Sequence, residues 1–266
     1  MSRPDFLSEA EPPRGVALNV APGVRRLVAA NPGPMTYHGT NTYLLDGPDG
    51  VTVVDPGPAD PAHVQAILSV TGRPVRHIVL THGHPDHADA LPALAAATGA
   101  EVFRHADGTL GEGGSVAGWT ALHTPGHAAD HLCLARADGT VLTGDHVMSF
   151  SSSVVIPPEG DMAAYMAGLR RLLARADTLY LPGHGPPIAA PRPFTTALLA
   201  HRERREADIV ALLRAAPFSV ADLVGRLYPD LDPRLSRAAG ASVLAHLLKL
   251  GAEGIAGKRN GVWHAL

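Results

Sequence analysis

The hydrophobic pattern of this chain changes character about three quarters of the way along. Up to about residue 190, short apolar runs alternate with turn-rich and helix-periodic stretches. Val51–Val54 and residues 75–81 are nearly continuous apolar segments, the kind that form strands buried on both faces. Residues 42–45, 101–104, Trp119–His123, 131–136, 140–143 and 179–181 are further short strands, and Asp46-Gly47-Pro48-Asp49-Gly50 turns residues 42–45 back onto Val51–Val54. Helical periodicity is expected over 62–70 and over 87–98, with Gly99 ending the latter. A third helix is expected over 161–176, where Asp161 caps and Met162, Tyr165, Met166, Leu169, Leu172 and Leu173 share one face as core packing. Strands and helices in alternation give α/β layering.

Farther on the pattern becomes helical, over 196–215, 219–227 and 233–250, and ends in two short strands at 254–256 and 262–265. Three helices followed by a hairpin is the order of a winged helix, an elaboration of the helix-turn-helix. Pro182, Pro186, Pro187, Pro191 and Pro193 mark a loop leaving the first unit. The expected domains are therefore 1–195 and 196–266.

Composition narrows the class. With 266 residues, 45% of them apolar and 18% charged, the chain has ample material for a core and is not a disordered segment. No apolar run approaches the roughly 18 residues of a membrane span, so no membrane partner is expected. The first residues lead into Glu9, Glu11, Pro12 and Pro13 with no apolar stretch of the secretory type. The single cysteine, Cys133, cannot pair within the chain and suits a reducing compartment, which predicts a cytoplasmic protein. Charge is uneven: through Ala200 there are 12 Arg and no Lys against 18 acids, a net of −6, and from His201 onward 10 basic residues face 7 acids, a net of +3.

Fifteen histidines is the composition figure with chemical content. Thr81-His82-Gly83-His84-Pro85-Asp86-His87 follows an apolar strand and opens a helix, placing four potential metal ligands within six residues. Neutral imidazole and carboxylate are ligand types that zinc accepts, and Gly83 and Pro85 can shape a tight turn that aims them at one centre. Thr124-Pro125-Gly126-His127, Thr143-Gly144-Asp145 and Pro182-Gly183-His184 each place a His or Asp in a Gly-containing loop after a strand. Taken singly, any of these histidines reads as an ordinary surface or satisfied core residue; the ordered set does not. His38, His63, His77, His105, His123, His131, His201, His246 and His264 keep the ordinary reading. Cys133 reads as a small core residue, Ser151-Ser152-Ser153 as loop, and His146 as a candidate support for a neighbouring ligand.

These ordered motifs resemble the metallo-β-lactamase superfamily, over roughly residues 41–188. The resemblance implies a four-layer αβ/βα sandwich with metals at one edge. It implies that His82, His84 and His127 hold a first cation, that Asp86, His87 and His184 hold a second, and that Asp145 bridges both. Asp55 matches an early aspartate that supports the site's loops without binding metal. The implied cofactor is zinc (Zn2+), two per chain; di-iron relatives typically carry a carboxylate where this chain has His84, although Mn and Fe also accept imidazole. The implied chemistry is hydrolysis, in which a bridging hydroxide attacks an ester, thioester or amide carbonyl, with Asp86 and Asp145 as catalytic carboxylates.

The blocks around His127 and His184, with Ala200-His201-Arg202-Glu203-Arg204-Arg205-Glu206 and the winged helix, are similar to the lactamase-β-like-protein-2 family. That family offers a thioester or single-stranded RNA, so the substrate reads as a small molecule with a single-strand RNA endonuclease as the alternative. The −6 of the first unit favours the small molecule, because RNA binding draws on basic residues. In residues 233–250 the basic residues Arg234, Arg237 and Lys249 are sparse for reading DNA, so that helix is expected to pack over the metal site or form a homodimer contact. Arg202, Arg204 and Arg205, interleaved with Glu203 and Glu206, read as a solvated, salt-bridged face. Asp89 adds a carboxylate near the site that is either a support for it or solvent-facing.

Overall fold

A computed structural model describes residues 4–266 of the chain. In chain order its elements are β1 (Leu18–Ala21), β2 (Val24–Val28), β3 (Asn41–Asp46), β4 (Val51–Val54), α1 (Pro61–Thr71), β5 (Val75–Val79), α2 (Pro85–Ala88), α3 (Leu91–Thr98) and β6 (Glu101–Phe103). There follow β7 (Ser115–Val116), β8 (Trp119–His123), β9 (Leu132–Ala135), β10 (Thr140–Gly144), α4 (Met162–Leu173) and β11 (Leu179–Pro182). The remainder is α5 (Pro191–Ala215), α6 (Val220–Leu227), a 3-10 turn at Pro233–Leu235, α7 (Ser236–Ala252), β12 (Ala256–Arg259) and β13 (Val262–Ala265).

One sheet runs β1-β2-β3-β4-β5-β6, antiparallel as far as β4 and parallel beyond it. The second runs β11-β10-β9-β8-β7, with β10 and β11 parallel and the other pairs antiparallel. Alternate strand positions explain the stacking. Tyr43, Leu45, Val54 and Val79 of the first sheet meet Trp119, Ala121, Leu132, Leu134 and Leu142 of the second in a common core. On its other face the first sheet buries Leu44, Val53 and Ile78 against Val64 and Ile67 of α1 and Leu94 of α3. The second sheet turns Leu122, Cys133, Val141 and Tyr180 toward Met162, Tyr165, Met166 and Leu169 of α4 and Phe194 and Leu198 of α5. Helix, sheet, sheet, helix is the expected four-layer order.

The remaining helices and the β12-β13 hairpin gather around Leu213, Leu223, Val243, Leu247 and Trp263, a winged-helix arrangement with its own apolar centre. Several boundaries differ from the sequence expectation, among them the strand expected at 254–256, which is Ala256–Arg259, and the helix expected from 233, which opens with the 3-10 turn Pro233–Leu235. The helix expected over 87–98 is two helices, because Pro92 has no N–H to bond the Ala88 carbonyl. The helix expected from 196 begins at Pro191, since prolines fit a first helical turn whose N–H groups have no intrahelical partner. Its 25 residues run unbroken through residue 195, with Phe194 and Leu198 in the four-layer core and Ile209 and Leu213 in the C-terminal one. Strands β1, β2 and β7 had no counterpart in the pattern. Among the described residues no helix is long and apolar enough to cross a membrane.

Candidate metal centre

The loops that leave β5, β8, β10 and β11 converge at one edge of the sandwich. They bring His82, His84, Asp86 and His87 together with His127, Asp145 and His184. Three overlapping groups have donor atoms mutually within 4.8 Å: His82, His84 and His127; His82, His87 and Asp145; and Asp86, His87 and His184. All seven residues singled out in the sequence thus lie in one cluster. His84 and Asp86, with side chains 30% and 31% exposed, form its open side, and the others are nearly sealed.

The hydrogen bonds behind the cluster fix which ring nitrogen carries the proton. His127 Nδ1 donates to the Val154 carbonyl at 2.7 Å and His184 Nδ1 to the Gly39 carbonyl at 3.3 Å. His87 Nδ1 donates to Asp55 Oδ2 at 2.9 Å. Thr81 Oγ1 gives its own proton to Asp55 Oδ2 at 2.7 Å and so accepts from His82 Nδ1 at 2.9 Å. In its neutral form each of these four rings therefore presents a bare Nε2 inward.

Those nitrogens crowd one another. His87 Nε2 and His184 Nε2 are 3.2 Å apart, with no proton to share between neutral rings. His84 Nδ1 lies 3.0 Å from His82 Nε2 and 2.9 Å from His127 Nε2, and one proton could serve only one of them. Lone pairs facing at such range repel unless a cation lies between them; ligands about 2.0–2.1 Å from a tetrahedral zinc ion stand roughly 3.3 Å apart. Asp145 lies between the two halves, Oδ2 being 3.6 Å from His127 Nε2 and 3.5 Å from His184 Nε2, and Oδ1 3.4 Å from His87 Nε2. The donor set fits a metal pair.

Without a cation, the surrounding carboxylates instead favour a proton on the His87–His184 pair of rings. Burial pulls His87 and His184 down as bases, but Asp145, with Asp55 at His87 and Asp86 at His184, outweighs it. His184 is held at about 9 and His87 well above the ordinary imidazole range. Burial, with the neighbouring His87 and His127, drives His82 far below that range. Asp145 stays well below the usual carboxylate range, because His184 and His87 overcome the burial that would raise it.

Close backbone approach requires glycine at two motif positions. A Cβ on Gly183 would stand 2.4 Å from Asp145 Oδ1. Gly126, at φ +131, lies where a Cβ would meet Tyr165 N at 2.3 Å, so the His127 loop rests directly on the start of α4.

Three supports were not legible as such. His131 accepts the Asp145 backbone N–H at Nε2, 3.1 Å, and donates from Nδ1 to Thr124 Oγ1 at 2.9 Å. Its position four residues after His127 was the available signal. Ser153, expected as plain loop, is buried and donates its hydroxyl to the Asp145 carbonyl. Arg202, expected on a solvated face, is 3% exposed and donates to the Ser153 carbonyl. Conversely, His146 supports no ligand: both ring nitrogens are buried without a hydrogen-bond partner, and burial pushes its pKa down to about 3. Asp89 is exposed at the end of α2. Cys133 is a core residue whose thiol burial pushes up to about 12.

A cavity of about 550 Å³ lies between loop 148–154 and the C-terminal helices; none of the seven clustered residues lines it, and it meets their supports at Ser153, Val154 and Arg202. Its walls include Met148, Phe150 and Ser151 on one side and Arg205, Tyr228 and Leu235 on the other. Ala238, Ala239 and Ser242 of α7 face this cavity, and Ala245 packs in the four-layer core, so the helix in the recognition position of the winged helix is turned inward.

Comparison with known proteins places these features in a family. Residues 35–112 match the metallo-beta-lactamase superfamily, and residues 219–263 match the beta-lactamase associated winged helix domain. Lactamase-like protein vrtG of Penicillium aethiopicum is 31% identical over 252 residues, covering 88% of this chain and 80% of its own. The chain belongs to the metallo-β-lactamase superfamily. Other superfamily relatives are the beta-lactamase-like protein 2 homolog of Drosophila melanogaster and an atrochrysone carboxyl ACP thioesterase of Claviceps purpurea. The first is 29% identical, covering 87% of this chain and 88% of its own; the second is 29% identical, covering 79% and 74%. A beta-lactamase domain protein from Burkholderia ambifaria superposes with a TM-score of 0.83 at 27% identity, covering 98% of this chain and 96% of its own. The fold expected for the superfamily, with its C-terminal winged helix, is the fold observed, and the protein is an enzyme of this hydrolase superfamily.

Proposed function

We propose that the protein is a dinuclear zinc hydrolase that cleaves a small ester, thioester or amide, with the thioester as the leading substrate class. The observation that carries this reading is the pair of donor sets on either side of Asp145, each lined with inward-facing ring nitrogens. His82, His84 and His127 would hold one cation, Asp86, His87 and His184 the other, and Asp145 both. Bound there, the cations supply Lewis acidity toward a carbonyl oxygen and bring the pKa of a water near neutral. Five imidazoles with two carboxylates suit zinc.

The chain's own groups do the positioning. Asp86 turns Oδ2 toward His184 Nε2 at 3.2 Å and keeps partial access to solvent, which suits it to orient the attacking water and take its proton. Asp55 and the carbonyls of Val154 and Gly39 hold Nδ1 of the rings outward and so turn Nε2 toward the cluster. The cavity beside loop 148–154, which shares Ser153 and Val154 with the wall behind the cluster, would receive the part of the substrate that does not react. A relative named as an ACP thioesterase supports the thioester.

The test is hydrolysis of acyl thioesters by zinc-loaded protein, followed by thiol release, with Asp145→Asn prepared identically. The variant is expected to lose metal and activity together, by about a hundredfold or more. Full occupancy with unchanged turnover would remove Asp145 from its bridging place. Cleavage of single-stranded RNA, with thioesters and esters untouched, would replace the substrate class.

A further inference from the structure

The stretch Ser153-Val154 holds two members of the cluster at once. Ser153 Oγ donates to the Asp145 carbonyl and, at 3.2 Å, to that of His146. The Val154 carbonyl accepts from His127 Nδ1 at 2.7 Å. This stretch is in turn held from the far side by α5. Arg202 donates from Nη2 to the Ser153 carbonyl and lays its guanidinium over the Tyr165 ring, 5.2 Å from the centroid. An arginine 3% exposed is costly to bury, and what it meets here is a carbonyl and an aromatic face in the wall of the metal centre. The helix that carries it continues into the C-terminal core through Ile209 and Leu213.

We infer that Arg202 is a positioning residue of the metal centre: by fixing Ser153 it sets the backbone of Asp145 and the partner of His127, so the helix leading into the winged-helix unit tunes metal affinity. The inference rests on the metal-dependent reading of the same cluster. Arg202 touches neither ligand directly and works only through this two-residue stretch. Removing its donors frees the Ser153 carbonyl and lets the His127 ring and the Asp145 carboxylate drift from a common centre. Support one bond behind a ligand, where Ser153 and Val154 stand with Arg202 one bond behind them, changes metal affinity by roughly 10–100-fold when it is removed.

The experiment measures zinc affinity by competition with a chromophoric chelator, the visible spectrum of the cobalt-loaded protein, and melting of the metal-free chain. Arg202→Met keeps the stem and deletes the donors; it is expected to bind zinc roughly 10–100-fold more weakly and to change the cobalt spectrum. Arg202→Lys keeps one charged donor and should recover part of the loss. Ser153→Ala removes the link to the Asp145 carbonyl and should weaken binding to a similar degree. Glu203→Gln breaks the exposed pair with Arg170, 3.0 Å across the same α4–α5 boundary, and should leave affinity unchanged. Parental affinity and spectrum in both Arg202→Met and Ser153→Ala would overturn the inference, as would an equal loss in Glu203→Gln, which would mean general loosening. If Arg202→Met does not fold, Arg202→Lys and Ser153→Ala decide by the same criterion. A parent protein that takes up no metal overturns the metal reading itself, and the inference with it.

Discussion

Asp55 sits in the left-handed region at φ 51, a conformation that few residues besides Gly, Asn and Asp adopt without strain. Held there, its carboxylate accepts the Thr81 backbone N–H at 2.8 Å, the Thr81 hydroxyl and the His87 ring. One side chain thereby sets the direction of His82 and His87. The same local electrostatics make metal uptake dependent on pH. His184 is held at about 9 and His87 above the ordinary range, and with their Nε2 atoms 3.2 Å apart the pair shares an extra proton near neutral pH that a cation must displace. Zinc binding at neutral pH is expected to release a proton from this pair, and apparent affinity should fall as pH drops below about 9. Calorimetry in buffers of different ionisation enthalpy counts the protons; a count of zero would mean that these two rings are not ligands.

At the scale of elements, the site depends on loops that leave strand ends and press against helices. Gly126 shows how tight this is, because α4 begins against its α-carbon and the Asp161 N–H bonds its carbonyl at 2.9 Å. Gly126→Ala is expected to cost about 1–3 kcal/mol in backbone strain, with the clash against Tyr165 added, and to weaken metal binding through His127. Denaturant midpoints and zinc titration check both effects, and a wild-type midpoint would show that the loop has room to shift. Element boundaries were the least legible feature of the sequence. An apolar run over 87–98 fits one helix as well as two, and Pro92 decides for two because a helix cannot pass it without losing a backbone hydrogen bond. Pro191 and Pro193 mark loop or first turn equally well from sequence, and packing of Phe194 against the second sheet settles the matter.

Across the whole molecule, the cluster joins the two sheets. His82, His84, Asp86 and His87 follow β5 of one, whereas His127, Asp145 and His184 follow β8, β10 and β11 of the other. Cations held between them, as proposed, would cross-link the sandwich at its edge, and anything that binds only the folded state stabilises it. With free zinc at a hundredfold excess over its dissociation constant the gain is about 2.7 kcal/mol. Stripping the metal with a chelator is then expected to lower the melting temperature by roughly 5–10 °C for a chain of this size. A chelated protein that melts with the metal-loaded one would place the cations elsewhere. Globally, the winged-helix unit turns α7 toward the four-layer unit; its sparse charge left inward packing and a dimer contact open, and Ala245 packs in the four-layer core.

The sequence by itself determined the seven clustered residues and the α/β layering. Motif residues stand in loops directly after apolar strands, and strand ends of a layered fold converge in space without further information. The family resemblance, through the motif Val53-Val54-Asp55-Pro56-Gly57, also implied Asp55 as a support. Only the tertiary structure decided the roles of His131, Ser153 and Arg202, and the idleness of His146. These depend on partners distant in sequence: Arg202 reaches Ser153 across 49 positions and His131 reaches the Asp145 backbone across 14. A motif is local because the loop that carries it is local, whereas the hydrogen bonds that orient its members are made by whatever the fold packs behind them.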